Sequence, residues 1–206
     1  SELNIQAPAV FDEDLLKQLK ELRKKIAKQY GIPPFAVFQD PSLEDMTMQY
    51  PTSIKELTNV FGVGEGKAAK FGKPFADFIA AYVEENDITR PDEMIIRSVA
   101  DKSNHKVYII KSVDRKLDLE DMAEAKSLSM EELLSEMESI VYQGTKLDIS
   151  YYINEILDED QQEEIHEFLM EAENDSMSNL LEEFGNDYEE DELRLMRIKF
   201  INDVAN

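Results

Sequence analysis

Asn59-Val60-Phe61-Gly62-Val63-Gly64-Glu65-Gly66-Lys67-Ala68-Ala69-Lys70-Phe71 is the stretch on which the fold turns. Its glycines invite a phosphate-loop reading, and their spacing denies it. A Walker loop needs four residues between its glycine pair and a Ser or Thr after the lysine, whereas three residues separate Gly62 from Gly66 and Ala68 follows Lys67. The pattern G-x-G-x-x-G is not met either. A tight turn between two helices suits the stretch, with Gly62 and Gly64 free to take positive φ. The helix that follows would open with exposed N–H groups beside Lys67, a generic anion-binding end; a plain helix–helix turn fits the same residues equally well.

On either side the sequence reads as helix. After the acids Asp12 and Asp14, suited to a helix N-terminus, Leu15, Leu19, Leu22 and Ile26 recur with helical spacing. The same helix sets Lys17, Lys20, Lys24 and Lys28 in a row of their own, flanked by Arg23 and Lys25. That row is either a solvated face opposite the core or a set of phosphate contacts, since clustered ammonium groups release counterions from a nucleic acid. Gly31-Ile32-Pro33-Pro34 stops the helix. Asp40-Pro41 reads as an N-cap followed by Pro at the first helical position, opening a short helix that Pro51 closes. Ser53-Ile54-Lys55-Glu56 has capping-box spacing. Gly72-Lys73-Pro74 is expected to begin a further helix, with Phe75, Phe78, Ile79 and Tyr82 in a core.

Composition bounds the whole. The chain has 206 residues, 22 Lys+Arg against 45 Asp+Glu, a formal net charge of −23, 42% hydrophobic residues and no Cys. The hydrophobic share is that of a folded chain, and the missing Cys excludes disulfides, thiolate zinc sites, iron–sulfur clusters and cysteine nucleophiles. No apolar run approaches a membrane span and no signal-peptide pattern is present, so no membrane partner and a cytoplasmic site are expected. The chain begins Ser1-Glu2-Leu3 without Met, which predicts an excised piece of a longer protein. Charge is divided unevenly: residues 1–86 carry a net −3, residues 87–117 a net +2 and residues 118–206 a net −22. Such asymmetry predicts two modules with different partners: a flexible segment 1–11, a domain over 12–86, a polar linker 87–91 ending at Pro91, and an acidic helical domain over 92–206.

The ordered motifs of the first module, from the Leu15–Ile26 helix through Ile32-Pro33-Pro34-Phe35-Ala36-Val37-Phe38, Asp40…Leu43…Met46…Tyr50-Pro51 and Phe61-Gly62-Val63-Gly64…Lys67…Phe71-Gly72-Lys73-Pro74-Phe75, closely resemble the HRDC domain (helicase and RNase D C-terminal), in the form that closes bacterial RecQ DNA helicases. The resemblance spans residues 12–86. It implies a five-helix bundle that helps an ATP-dependent helicase engage single-stranded or branched DNA in repair and recombination. It also places Phe35 where some such domains present an aromatic to DNA. Phe35 is then either a base-stacking platform or a core anchor, since Phe lacks the polar tip of Tyr. Lys24, Lys25, Lys67, Lys70 and Lys73 are the candidate phosphate contacts.

In the second module Ile95, Ile96 and Val99 suggest a helix, and Val107-Tyr108-Ile109-Ile110 reads as a strand or a buried helix. A short helix from Asp118, a break near Ser127-Leu128 and a capped helix from Ser129 to Gly144 make a helix-turn-helix pattern over about 118–144. It resembles the helix-turn-helix domain appended to some RecQ helicases, notably of Bacteroidetes-type bacteria, and this favours helix for Val107–Val113. Its second helix carries Glu131, Glu132, Ser135, Glu136 and Glu138 and no Lys or Arg, so inserting it into a major groove would set carboxylates against phosphates. A structural or protein-docking role is expected instead. Asp158-Glu159-Asp160 and Glu189-Glu190-Asp191-Glu192 are solvated surface, or a surface for basic partners or for the helicase core itself.

No catalytic constellation emerges. Asp158 to Glu163 lacks the Gly of a calcium loop, and Glu163-x-x-His166 is a lone half of a di-iron pair. The expectation is an all-α, two-module chain with no catalytic, cofactor or metal residues, ATP and Mg belonging to a motor outside it. A protein-interaction or autoregulatory module that binds no nucleic acid is the alternative.

Overall fold

The computed structural model describes residues 11–91 and 103–206. Helices α1 (Glu13–Tyr30), α2 (Pro34–Val37), α3 (Asp40–Gln49), α4 (Ile54–Leu57) and α5 (Glu65–Glu85) make the first domain. Helices α6 (Ser103–Asp114), α7 (Leu119–Ala125), α8 (Met130–Tyr142), α9 (Ser150–Ile156), α10 (Glu159–Glu171), α11 (Met177–Phe184) and α12 (Glu190–Ala205) make the second. Among the described residues there is no strand, and the protein is all-α. Val107–Ile110 is helical, inside α6. The helix expected around Ile95 to Val99 lies outside the described residues.

Capping explains where α1 starts and stops. The Asp12 carboxylate accepts from the Leu15 N–H at 3.0 Å, and Gly31, at φ 66°, turns its N–H back to the Ala27 and Lys28 carbonyls. Asp12 also accepts the hydroxyls of Tyr50 at 2.9 Å and Tyr82 at 3.0 Å, so the first turn of α1 is tied to the ends of α3 and α5. Burial pushes the Asp12 carboxyl up, but these hydrogen bonds outweigh it and hold it below its ordinary value. Leu15, Leu19 and Ile26 bury their stripe in one core with Leu43, Met46, Phe71, Phe75 and Ile79.

Two local expectations change. Asp40 and Pro41 are the first two residues of α3, with Gln39 at the cap. More consequentially, Gly72-Lys73-Pro74 starts nothing: α5 runs unbroken through it for 21 residues. Pro74 has no N–H to offer the carbonyl four residues back, which is that of Lys70. The Tyr30 hydroxyl donates to this carbonyl at 3.3 Å, so the vacancy is met from α1. Gly72 lies against Leu57, where a Cβ would stand 2.8 Å from Leu57 Cδ1.

In the second domain α12 is central, with Leu193, Leu195, Met196, Ile198, Phe200 and Ile201 buried around its circumference. Arg194 and Arg197 are held by one carboxylate, Glu138 of α8, each at 2.8 Å. Arg194 adds a bond to Ser135 at 3.0 Å and Arg197 one to the Asp175 carbonyl at 2.9 Å. Ser135 and Glu138 therefore engage α12, and Glu136 meets His105 Nδ1 at 2.8 Å.

The two domains pack directly on each other. The turn after α8 lies on the glycine stretch before and within α5: the Lys67 N–H donates to the Gln143 carbonyl at 3.2 Å. Of the glycines, Gly62 has the left-handed φ of 71°. Gly64 is extended, with φ −95° and ψ −179°, and is needed for a different reason: a Cβ there would stand 2.8 Å from the Gln143 carbonyl oxygen. At Gly66 a Cβ would fall 2.3 Å from the Gly144 carbonyl, and at Gly144 2.3 Å from the Lys67 nitrogen. Only backbone without side chains can approach so closely. Gly66→Ala is therefore expected to separate the domains locally and lower stability by about 1–3 kcal/mol, read as a fall in the urea midpoint of the full chain.

Candidate nucleic-acid interface

The six residues singled out from sequence do not form one surface. Phe35 is 4% exposed, its ring centroid 6.2 Å from that of Phe200 on α12; it offers no face to a base and serves as a core anchor between domains. Lys67 is 3% exposed, and its ammonium donates to the Ala36 carbonyl at the end of α2. Burial pulls that ammonium down to about 7, the Lys70 charge adds to the fall and Asp175 opposes it. The N-terminus of α5 is likewise closed, since the Gln143 carbonyl takes the Lys67 N–H. The expected anion site at this helix end is thus filled by the second domain's own backbone.

Asp175, buried in the second domain, completes the closure. Its carboxylate accepts from Gln39 of the first domain at 3.2 Å and from the Tyr142 hydroxyl. Burial and then the Asp175 charge push the Tyr142 phenol well up. The second domain therefore covers Phe35, Lys67 and the start of α5 together.

Lys24, Lys25 and Lys73 remain at the surface. Lys24 pairs with Glu21 at 3.4 Å and Lys73 with Asp77 at 3.0 Å, all four side chains well over half exposed. Ion pairs this open are worth little, and a phosphate competes for either ammonium. At 3.6 residues per turn, Lys17, Lys20, Lys24 and Lys28 fall on one side of α1, with Lys25 at its edge. Lys17, Lys25 and Lys28 are exposed and form no ion pair among the described residues. Arg23 leaves the row, its guanidinium turned onto the Phe38 carbonyl at 2.9 Å and Asp40 at 2.8 Å.

Lys70 stands apart. Its ammonium reaches the Ala205 carbonyl at the end of α12, 2.7 Å away, a cation at a helix C-terminus. It also lies 5.8 Å from the centroid of the Tyr30 ring. In the sequence Tyr30 continues the Leu15–Ile26 spacing as a core position would. It is in fact 49% exposed, one of few large apolar groups left open.

Comparison with known proteins finds two family matches in the chain. Residues 12–79 match the HRDC domain, and residues 103–153 match the RecQ-1-like helix-turn-helix domain. The chain carries an HRDC domain and a RecQ-type helix-turn-helix domain. Over 84 residues it is 40% identical to the ATP-dependent DNA helicase RecQ of Bacillus subtilis, a match covering 40% of this chain and 14% of that protein. Over 74 residues it is 43% identical to the protein of the same name from Haemophilus influenzae, covering 36% of this chain and 12% of that one. The chain thus spans a small share of the length of these relatives. The matched residues 103–153 contain α6, α7 and α8, and α8 spends Ser135, Glu136 and Glu138 on internal contacts. Among the described residues no three His, Cys, Asp or Glu gather as metal ligands, and no helix is long and apolar enough to cross a membrane.

Burial of Lys67 has a thermodynamic signature. Below about pH 7 the group is charged in both folded and unfolded chains and contributes no slope. Between about pH 7 and its ordinary value of 10.5 the unfolded chain holds the extra proton, so stability rises with pH. Urea midpoints measured from pH 6 to pH 10 should show this rise in the wild type and lose it in Lys67→Met, the difference between the two curves isolating Lys67 from the tyrosines.

Proposed function

We propose that this chain is the C-terminal accessory region of a RecQ-like ATP-dependent DNA helicase, in which the HRDC domain gives weak, structure-dependent binding to single-stranded or branched DNA. Such binding would support unwinding in repair and recombination in a bacterial cytoplasm. ATP, Mg and hydrolysis are assigned to a motor outside this chain. The observation that carries the reading is the lysine side of α1: Lys17, Lys24, Lys25 and Lys28 exposed together on a protein whose net charge is −23. Each ammonium that replaces a condensed counterion on DNA adds affinity that salt removes. Lys73, at the surface of α5, extends the same chemistry.

The test is fluorescence anisotropy of the full chain with labelled single-stranded and forked DNA at several salt concentrations. Affinity should fall as salt rises, and Lys24→Glu with Lys25→Glu should weaken it about tenfold and flatten the salt dependence. Binding that is absent, or indifferent to salt and to this pair, would remove the reading.

A second reading, that the acidic domain is a brake or a docking module, is favoured by one observation: Gln143, Gly144 and Phe200 cover the start of α5 and Phe35. The two readings separate on Asp175→Ala, which strips Gln39 and Tyr142 of their acceptor and loosens the interface. A brake released raises DNA affinity; binding carried by the α1 lysines alone leaves it unchanged.

A further inference from the structure

Residues 118–206 contain 27 acids and five cations. Arg194 and Arg197 are held by Glu138, Lys199 by Asp203, and Lys126 lies 4.5 Å over the Tyr108 ring. The fifth, Lys146, is exposed and has no ion-pair partner among the described residues. Its position is set by the domain interface. Lys70 donates to the Ala205 carbonyl, and the next residue, Asn206, donates through Nδ2 to the Thr145 carbonyl at 3.0 Å and to the Val141 carbonyl at 2.8 Å. The end of α12 thereby bridges Lys70 on one domain to the residue preceding Lys146 on the other. Burial, and after it the nearby Lys146 charge, hold the Lys70 ammonium below its ordinary value.

Tyr30 sits beside the first of these cations, its ring centroid 5.8 Å from the Lys70 ammonium. It is anchored twice: its ring meets Phe71 edge-on with centroids 4.9 Å apart, and its hydroxyl takes the Lys70 carbonyl that Pro74 leaves free. An aromatic that is half open and pinned against its own helix bundle loses little entropy when a planar ring stacks on it. Flanking cations are what a strand of alternating bases and phosphates requires.

We propose that Tyr30, Lys70 and Lys146 form a composite site for single-stranded DNA, one base stacking on Tyr30 and the adjoining phosphates lying against the two ammonium groups, complete only when the second domain is docked. The site rests on the HRDC reading above and deepens it, for it moves the stacking aromatic from buried Phe35 to exposed Tyr30. It also recruits a residue from the acidic domain. The class of ligand follows from the pairing of an open ring with two cations that no carboxylate holds among the described residues. A duplex hides its bases and offers Tyr30 nothing, and an acidic peptide offers charge without rings.

The experiment uses the full chain and a fluorescein-labelled oligothymidine about 16 nucleotides long, a length within the range one small domain covers. Tyr30→Ala and Lys146→Glu should each weaken binding about tenfold, while Tyr30→Phe, which keeps the ring, stays within about twofold of wild type. Lys146→Glu removes an exposed group that pairs with nothing described, so it tests the site without disturbing the core; thermal melts verify that Tyr30→Ala remains folded. The chain has no Trp, and Tyr30→Trp therefore introduces a single indole whose emission should be quenched as the oligonucleotide binds. Wild-type binding that is unchanged by Lys146→Glu and Tyr30→Ala, or that leaves the indole emission untouched, overturns the composite site while leaving DNA binding by the HRDC domain intact. Equal affinity for blunt duplex does the same. No salt-sensitive binding by the wild type overturns both.

Discussion

Gly66 and Gly144 meet backbone to backbone, and neither has room for a single methyl carbon. From that contact the arrangement of the molecule follows. It seats the Gln143 carbonyl on the Lys67 N–H in the first turn of α5, brings Phe200 against Phe35, and sets the Asp175 carboxylate within reach of Gln39. It also confines Lys67, whose ammonium is left to the Ala36 carbonyl in a setting that disfavours its charge. Two domains that share such contacts behave as one packed body rather than as beads on a linker.

The acidity of the second domain coexists with a cationic first domain because the charges are kept apart by use as well as by place. Two of its cations serve to hold α12: one carboxylate, Glu138, gathers both arginines. The abundant acids occupy outer helical positions and first turns, as in α10, where Glu159 and Asp160 follow the Asp158 cap. Screening over about 8 Å at physiological salt lets the lysine side of α1 keep its own local field.

Much of this fold was legible because its punctuation is chemical. Asp12, Gly31, Ser53 and Ser129 mark helix ends by what their side chains or φ angles can do, and the leucine spacing of α1 marks its buried side. Pro74 misled because a proline in mid-helix is tolerated when another donor, here the Tyr30 hydroxyl, takes the carbonyl it abandons; that partner is distant in sequence. The site was less legible. Exposed and buried lysines carry the same letter, and only the packing of the second domain separates Lys67 and Phe35 from Lys24, Lys25 and Lys73. Tyr30 and Lys146 went unremarked for the same reason, since each owes its role to neighbours more than 30 residues away in the chain.

Surface connections usually absorb changes of length without harm. The short connection from Tyr142 to Leu147 is different in kind: its carbonyls grip α5 and the Asn206 amide, and its end is held by Asn202. One added residue there would shift the register of everything downstream against everything upstream. In a lineage of such proteins this bend should be rigid in length while the acidic helices around it drift freely, a hairline of invariance across an otherwise forgiving exterior.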